Sequence, residues 1–162
     1  MQKKEDLVLV TGASGFIGGH VARKFYQEGF RVRAQYRRPE PPRNLKQLES
    51  DGVELYRTDL SSESGHDKLV EGVDHIIHAA AKTSDWGPYE EFYRINYLST
   101  LELLNAAKKA SVDNFIYLSS ISVHGFGPHR GSTEKGPYYP LQSSYQETKK
   151  MAEEAVIEST QD

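Results

Sequence analysis

Three glycines, Gly12, Gly15 and Gly18, punctuate the run TGASGFIG between a short apolar stretch and a segment of helical periodicity. A turn of this kind binds the diphosphate of a dinucleotide. Glycines allow a tight bend and close backbone approach, and N–H groups at the helix start attract the anion. The residues that would face the ligand are Gly12, Ser14, Gly15, Phe16, Ile17 and Gly18. Where the second strand of such a unit ends, a carboxylate would bind a ribose 2′-hydroxyl and repel a 2′-phosphate. Tyr36, Arg37 and Arg38 stand there instead. Two guanidinium groups suit a 2′-phosphate, which favours NADP(H) over NAD(H), although arginines at a strand end also occur simply as solvated surface. Farther on, Tyr145 and Lys149 lie four residues apart, which puts a phenol and an ammonium on one helix face. Taken alone, that spacing marks an ordinary helix surface.

These groups need a scaffold, and the apolar pattern supplies one. Residues 7–10 are continuously apolar, as in a strand buried on both faces. From 16 to 28, Ile17, Val21 and Phe25 recur at helical spacing, and Gly29 sits where a helix stops. Residues 31–36 alternate into a second strand, which Pro39, Pro41 and Pro42 prevent from continuing. Further strands are expected at 53–57, 74–78 and 114–118, with helical patterns between most of them. The best helix, 89–110, follows Pro88 and carries Phe92, Ile95, Leu98, Leu101 and Leu104 on one face. A stretch rich in Gly, Pro and Ser, 121–143, is too long for a routine connection and is expected to border an active site. A last helix starts at Ser143 or Ser144 and carries Tyr145, Lys149, Ala152 and Val156. The alternation of strands and helices predicts a doubly wound parallel sheet in a three-layer α/β/α sandwich.

A chain of 162 residues fits one domain, 1–162. Its net charge of -3, with 37% hydrophobic and 27% charged residues, describes a soluble globular protein. Basic residues are spread along the chain, so nucleic acid is not an expected partner. No apolar run reaches the roughly 20 residues of a membrane span. The polar opening, residues 1–6, also lacks the apolar core of a leader, and the expected location is cytoplasmic with no membrane partner. The absence of cysteine removes disulfides, thiolate catalysis and cysteine-ligated metal. His75 and His78 flank a buried strand without an HExxH pattern, so satisfied histidines are expected there and no metal site.

Further motifs follow the glycine loop in a fixed order. They are Asp59-Leu60 after the third strand, His78-Ala79-Ala80-Ala81 after the fourth, Asn96 and Thr100 in INYLST, YLSSISVHG at 117–125, and Tyr145-x-x-x-Lys149. Together with TGxxGxxG they resemble the extended short-chain dehydrogenase/reductase superfamily, the NAD-dependent epimerase/dehydratase group, over nearly the whole chain. The resemblance implies a Rossmann-type fold. It implies that Asp59 and Leu60 hold the adenine ring, that Ala79, Ala80 and Ala81 pass under the cofactor, and that Asn96 and Ser119 border it. It makes Ser120, Tyr145 and Lys149 the catalytic set, the last two also touching the cofactor. His124 stands where the family has a second tyrosine, a departure on the substrate side. VRAQYRRP resembles the corresponding segment of dihydroflavonol reductases more than the acid-ended strand of epimerases, and residues 85–90 resemble bacterial relatives of 3β-hydroxysteroid dehydrogenases.

On that resemblance the chemistry is carbonyl reduction, in which the cofactor supplies hydride and the protein a proton. A free tyrosine titrates near ~10, and bringing Tyr145 to neutrality asks for roughly 4 kcal/mol. An ammonium about 4 Å away contributes about 4 kcal/mol at an effective dielectric of 20. Ser120 would stabilise the substrate oxyanion. Relatives continue past this helix into a further strand and a substrate lobe, whereas this chain stops at Asp162. The strand Phe115 to Leu118 is therefore expected at a bare sheet edge, prone to self-association, in a truncated chain or an intertwined oligomer. Three readings stay open: a reductase or dehydrogenase of a small-molecule ketone or secondary alcohol, a nucleotide-sugar epimerase or dehydratase with bound NAD, and a non-catalytic cofactor-binding module. Arg37 favours the first over the second, and the intact Ser120, Tyr145 and Lys149 set disfavours the third.

Overall fold

Strand β1 (Leu7–Thr11) is buried along its whole length, as its unbroken apolar run requires. In the computed structural model, which describes residues 5–62 and 64–159, it is the centre of a five-stranded sheet with the order β3-β2-β1-β4-β5. The other strands are β2 (Arg31–Tyr36), β3 (Glu54–Arg57), β4 (His75–His78) and β5 (Asn114–Tyr117). All four pairings are parallel. The polar residues 1–4 and the closing residues 160–162 lie outside the described residues.

Alternate residues of β1 serve opposite faces, which makes the fold three-layered. Val8 and Val10 join Val32, Ala34, Leu45 and Leu48 in one core; Leu7 and Leu9 join Leu69, Ile76 and Leu103 in the other. The first core is covered by α1 (Phe16–Gln27) and α2 (Arg43–Asp51), the second by α3 (His66–Leu69) and the long helical rod from 89 to 109. Replacing a fully buried leucine such as Leu9 by alanine is expected to cost roughly 2–5 kcal/mol. The chain leaves β1 outward through β2 and β3, then crosses to the other side for β4 and β5. That reversal opens a crevice at the carboxyl ends of β1 and β4, where ligands bind in sheets of this kind.

One expectation needs correction. The helix 89–110 is not uniformly α: α4 (Tyr89–Phe92) passes into a π-helical segment (Tyr93–Leu98) before α5 (Ser99–Lys109). Hydroxyls take part in the change, since Ser99 Oγ donates to Ile95 O at 2.5 Å and Thr100 Oγ1 to Asn96 O at 2.7 Å. Such back-bonding perturbs a helix without disturbing its apolar spacing, so the periodicity conceals it. Ile17, which shares the helical spacing of Val21 and Phe25, is 55% exposed and lines the crevice. The stretch 121–143 does lack long elements: after a 3-10 turn (Ile121–His124) it folds on itself, with His124 stacked on Tyr138 at 4.8 Å. Helix α6 (Ser144–Glu158) starts where expected, with Ser143 Oγ accepting from Gln146 N. Among the described residues no helix is long and apolar enough to cross a membrane.

Candidate cofactor cleft and active site

Gly12 turns the chain out of β1 with φ +63, a left-handed conformation that glycine adopts without strain. A Cβ at Gly12 would lie 2.8 Å from Ala80 Cα, and one at Gly18 would lie 2.4 Å from the Gly12 carbonyl oxygen. Only bare backbone lets β1's turn rest against the end of β4 and lets α1 pack on that turn. Gly15 is the N-cap of α1 and brings no side-chain acceptor to its first turn. Among the described residues a Cβ there would meet only the Gly12 carbonyl, at 3.3 Å; any larger side chain would fill the cleft. The cradle therefore fits a diphosphate, with helix amides ahead of it and no side chain in its place.

Gln35, which the sequence reading passed over, fixes this bend from β2. Its Oε1 accepts from Gly12 N at 2.9 Å, its Nε2 donates to Thr58 O at 2.7 Å, and its carbonyl accepts from Ala13 N at 2.9 Å. A buried amide in an otherwise apolar strand interior needs partners of this kind, and that oddity was the available signal.

The crevice above the cradle has a volume of about 600 Å³, within the range of small-molecule and cofactor sites. Gly12, Ser14, Gly15, Phe16, Ile17 and Gly18 line it, and so do Arg37, Asp59, Leu60, Ala79, Ala80 and Ala81. Arg38 is exposed and is not among the lining residues. Asp59 is folded into a local turn, its Oδ1 accepting from Ser61 N at 2.9 Å and Ser61 Oγ at 2.7 Å. Burial alone would raise its carboxyl, but the Ser61 hydrogen bonds and the charges of Arg37 and Arg94 hold it below the usual range.

Behind the crevice runs a directed chain of hydrogen bonds. Thr11 Oγ1 accepts from the amides of Ala79 and Ala80, each at 3.1 Å. With both lone pairs engaged, its hydroxyl proton points to His78 Nδ1 at 2.7 Å. His78 Nε2 then carries the ring proton and donates to Thr100 Oγ1 at 3.0 Å, and Thr100 donates to Asn96 O. Complete burial, with the charge of Lys149 second, pushes the His78 pKa down to about 3, and the neutral imidazole this polarity needs is the form present. His75 is satisfied likewise, accepting from Asn114 Nδ2 at 2.9 Å and facing Asp6 Oδ2 at 3.0 Å.

Asn96 is buried rather than at the cleft surface. Its Oδ1 accepts from Lys82 N at 2.7 Å, and its Nδ2 reaches Lys82 O and Thr148 Oγ1, both at 3.2 Å. It therefore joins the loop after β4 to α6. On α6, Lys149 is buried, donating to Leu118 O at 2.6 Å with Nζ 4.0 Å from the centre of the Tyr117 ring. Its partners are thus the end of β5 and Tyr117, a residue given no role in the sequence reading. Burial lowers the Lys149 pKa to about 8, against an opposing pull from Glu153. Ser120 caps the 3-10 turn that packs against α6, its Oγ accepting from Ser122 N at 3.2 Å and lying 2.8 Å from Ser122 Oγ. Its neighbour Ser119 is exposed. Tyr145, one turn before Lys149, lines a second hollow of about 490 Å³ with Asp85, Trp86, Tyr89, Leu141 and Glu147 among its walls. The glycine loop and Tyr145 thus line two separate hollows with no lining residue in common.

The sequence profile of the NAD dependent epimerase/dehydratase family matches residues 8–162. A Synechocystis sp. protein named for dihydroflavonol 4-reductase is 32% identical over 160 residues, covering 96% of this chain and 46% of its own. Sterol-4-alpha-carboxylate 3-dehydrogenase, decarboxylating, of Homo sapiens is 30% identical over 160 residues, covering 96% of this chain and 40% of its own. Among solved structures, UDP-glucuronic acid 4-epimerase from Bacillus cereus in complex with NAD superposes with a TM-score of 0.82 at 29% identity, covering 96% of this chain and 53% of that one. The chain spans about half the length of the relatives it matches. With its profile matched from β1 through α6, the chain belongs to the NAD dependent epimerase/dehydratase family.

Proposed function

We propose that this chain is the nucleotide-binding domain of an NAD(P)-dependent oxidoreductase, with NADP(H) preferred, acting on a ketone or secondary alcohol of a small molecule in the cytoplasm. The observation that carries the reading is the glycine cradle, whose crevice is continuous in its lining from Gly12 through Arg37 to Ala81. The bound nicotinamide would supply or accept the hydride. Tyr145 gives the proton to the developing alkoxide, and the Ser120 hydroxyl, released when Ser122 takes over as its donor, binds the substrate oxygen. Lys149, fixed on Leu118 O, keeps a positive charge on the same helix face as Tyr145. A substrate lobe outside residues 1–162 completes the pocket in this reading.

Charge separates this reading from a nucleotide-sugar epimerase using bound NAD. The hollow that holds Tyr145 is walled by the carboxylates Asp85 and Glu147 with aromatic Trp86, Tyr89 and Phe92, and no lysine or arginine is among its lining residues. A diphosphate-bearing substrate would meet like charge there. Arg37 lines the crevice and β2 ends in Tyr36 instead of an acid, which supports a 2′-phosphate on the cofactor. Titrating the purified chain with NADPH and NADH by fluorescence tests the reading: tighter NADPH is expected, tighter NADH would overturn the preference, and binding of neither would overturn the function. The reading also takes β5, half-exposed at Ile116, as an edge through which isolated chains associate; a single monomeric boundary in sedimentation would remove that part.

A further inference from the structure

The wall formed by Asp59, Leu60 and Ser61 is held by residues that do not reach the cleft. Ser61 O accepts from Arg94 Nε at 2.5 Å. The rest of that guanidinium is clamped by Glu102, Nη1 to Oε1 at 2.7 Å and Nη2 to Oε2 at 3.0 Å. His66 is buried beside the same clamp, its Nε2 3.9 Å from Glu102 Oε2. Arg94 sits in the π-helical segment and Glu102 in α5, eight residues on, or about 12 Å of helix rise. Only a long, planar side chain bridges that gap while offering a third N–H sideways to Ser61.

We infer that Arg94, anchored by Glu102, is a positioning residue for the adenosine half of the cofactor, setting the Asp59–Ser61 turn from the opposite side of the wall. The inference rests on the proposed function for placing adenosine against Asp59 and Leu60. Within the turn itself, the hydrogen bonds of the Asp59 carboxylate among the described residues run forward, to Ser61 N and Oγ; these contacts shape the turn but do not fasten it to the rest of the fold. Arg94 supplies a fastening at Ser61 and a positive charge near Asp59. A bidentate, charge-assisted clamp is the strong form of such a contact, and losing it leaves the turn held to the fold at Leu60, in the second core, but loose at Ser61.

The test uses the whole chain and two readouts, affinity for ADP-ribose and for NADPH, and amide exchange across the fold. Arg94→Met should weaken both ligands about tenfold, the loss of one charge-assisted bond, and accelerate exchange at residues 59–62 while residues 12–18 keep theirs. Glu102→Gln, which leaves the arginine in place but neutralises its anchor, should move both readouts in the same direction by less. It also serves if the methionine variant fails to fold. Unchanged ADP-ribose affinity in Arg94→Met, or exchange that rises equally in the glycine loop, would overturn the assignment. A wild-type chain that binds neither NADPH nor ADP-ribose would instead remove the functional reading beneath it.

Discussion

Lys149 donates from Nζ to the carbonyl oxygen of Leu118 at 2.6 Å, tying α6 to the carboxyl end of β5. The ammonium is buried, and burial lowers its pKa to about 8. If catalysis needs its charge, carbonyl reduction should fall as pH rises through about 8. The unfolded chain keeps this proton to ~10.4, so it binds more protons than the folded chain between about 8 and ~10.4, and stability rises with pH across that window. Lys149→Met should lose turnover and lose that rise. A turnover profile flat to pH 10 in the wild type would reject the charged role.

Tyr145 is the proposed proton donor. Tyr145→Phe is expected to lower turnover by about 10²–10⁴-fold, because the ring stays and only the acidic proton goes. NADPH affinity should stay within about twofold, since the cradle at Gly12–Gly18 lines a different hollow from Tyr145. Stopped-flow and equilibrium titration on the same preparation check both halves. Undiminished turnover would place the acid elsewhere.

Gly12→Ala puts a methyl 2.8 Å from Ala80 Cα in a left-handed backbone. The strained φ alone costs roughly 1–3 kcal/mol, and the clash adds to it because the neighbour is backbone and cannot swing aside. Urea denaturation should show a lower midpoint, and NADPH binding should be lost in the folded fraction. A variant as stable as wild type would reject the close packing of Gly12 on Ala80 as a constraint on this turn.

His78 makes an acid-side prediction. Its folded pKa, about 3, lies below the ~6.5 of an unfolded histidine. The unfolded chain therefore binds the extra proton between those values. Stability conferred by the neutral ring is fully present above pH ~6.5 and declines toward pH 3, by up to about 1.4 kcal/mol per pH unit. His78→Gln, which cannot titrate, should be less stable at pH 7 but show a shallower loss in acid. Parallel curves for the two proteins would assign the acid sensitivity to other groups.

The fold was legible because burial leaves a strong trace. LVLV before Gly12 reads as a two-face strand, and all five expected strands are present within a residue or so of the expected bounds. The glycine loop was legible for the same reason: backbone closeness admits few residues at Gly12 and Gly18. What the chain concealed is pairwise. Nothing in the spacing of Gln35 and Gly12, or of Arg94 and Ser61, announces a hydrogen bond across 23 or 33 residues. Asn96 shows the limit from the other side: the motif drew attention to it, but its partners are Lys82 and Thr148, in segments that only the tertiary fold brings within reach.

That single amide has a mechanical consequence. Asn96 grips the segment under the cleft through both the N–H and the carbonyl of Lys82 and grips the tyrosine-bearing helix through Thr148. It acts as a gauge block of one fixed width. Neither the cleft floor nor α6 can slide without breaking a bond in the interior, so the alignment between them is inherited from folding instead of being assembled when a ligand arrives.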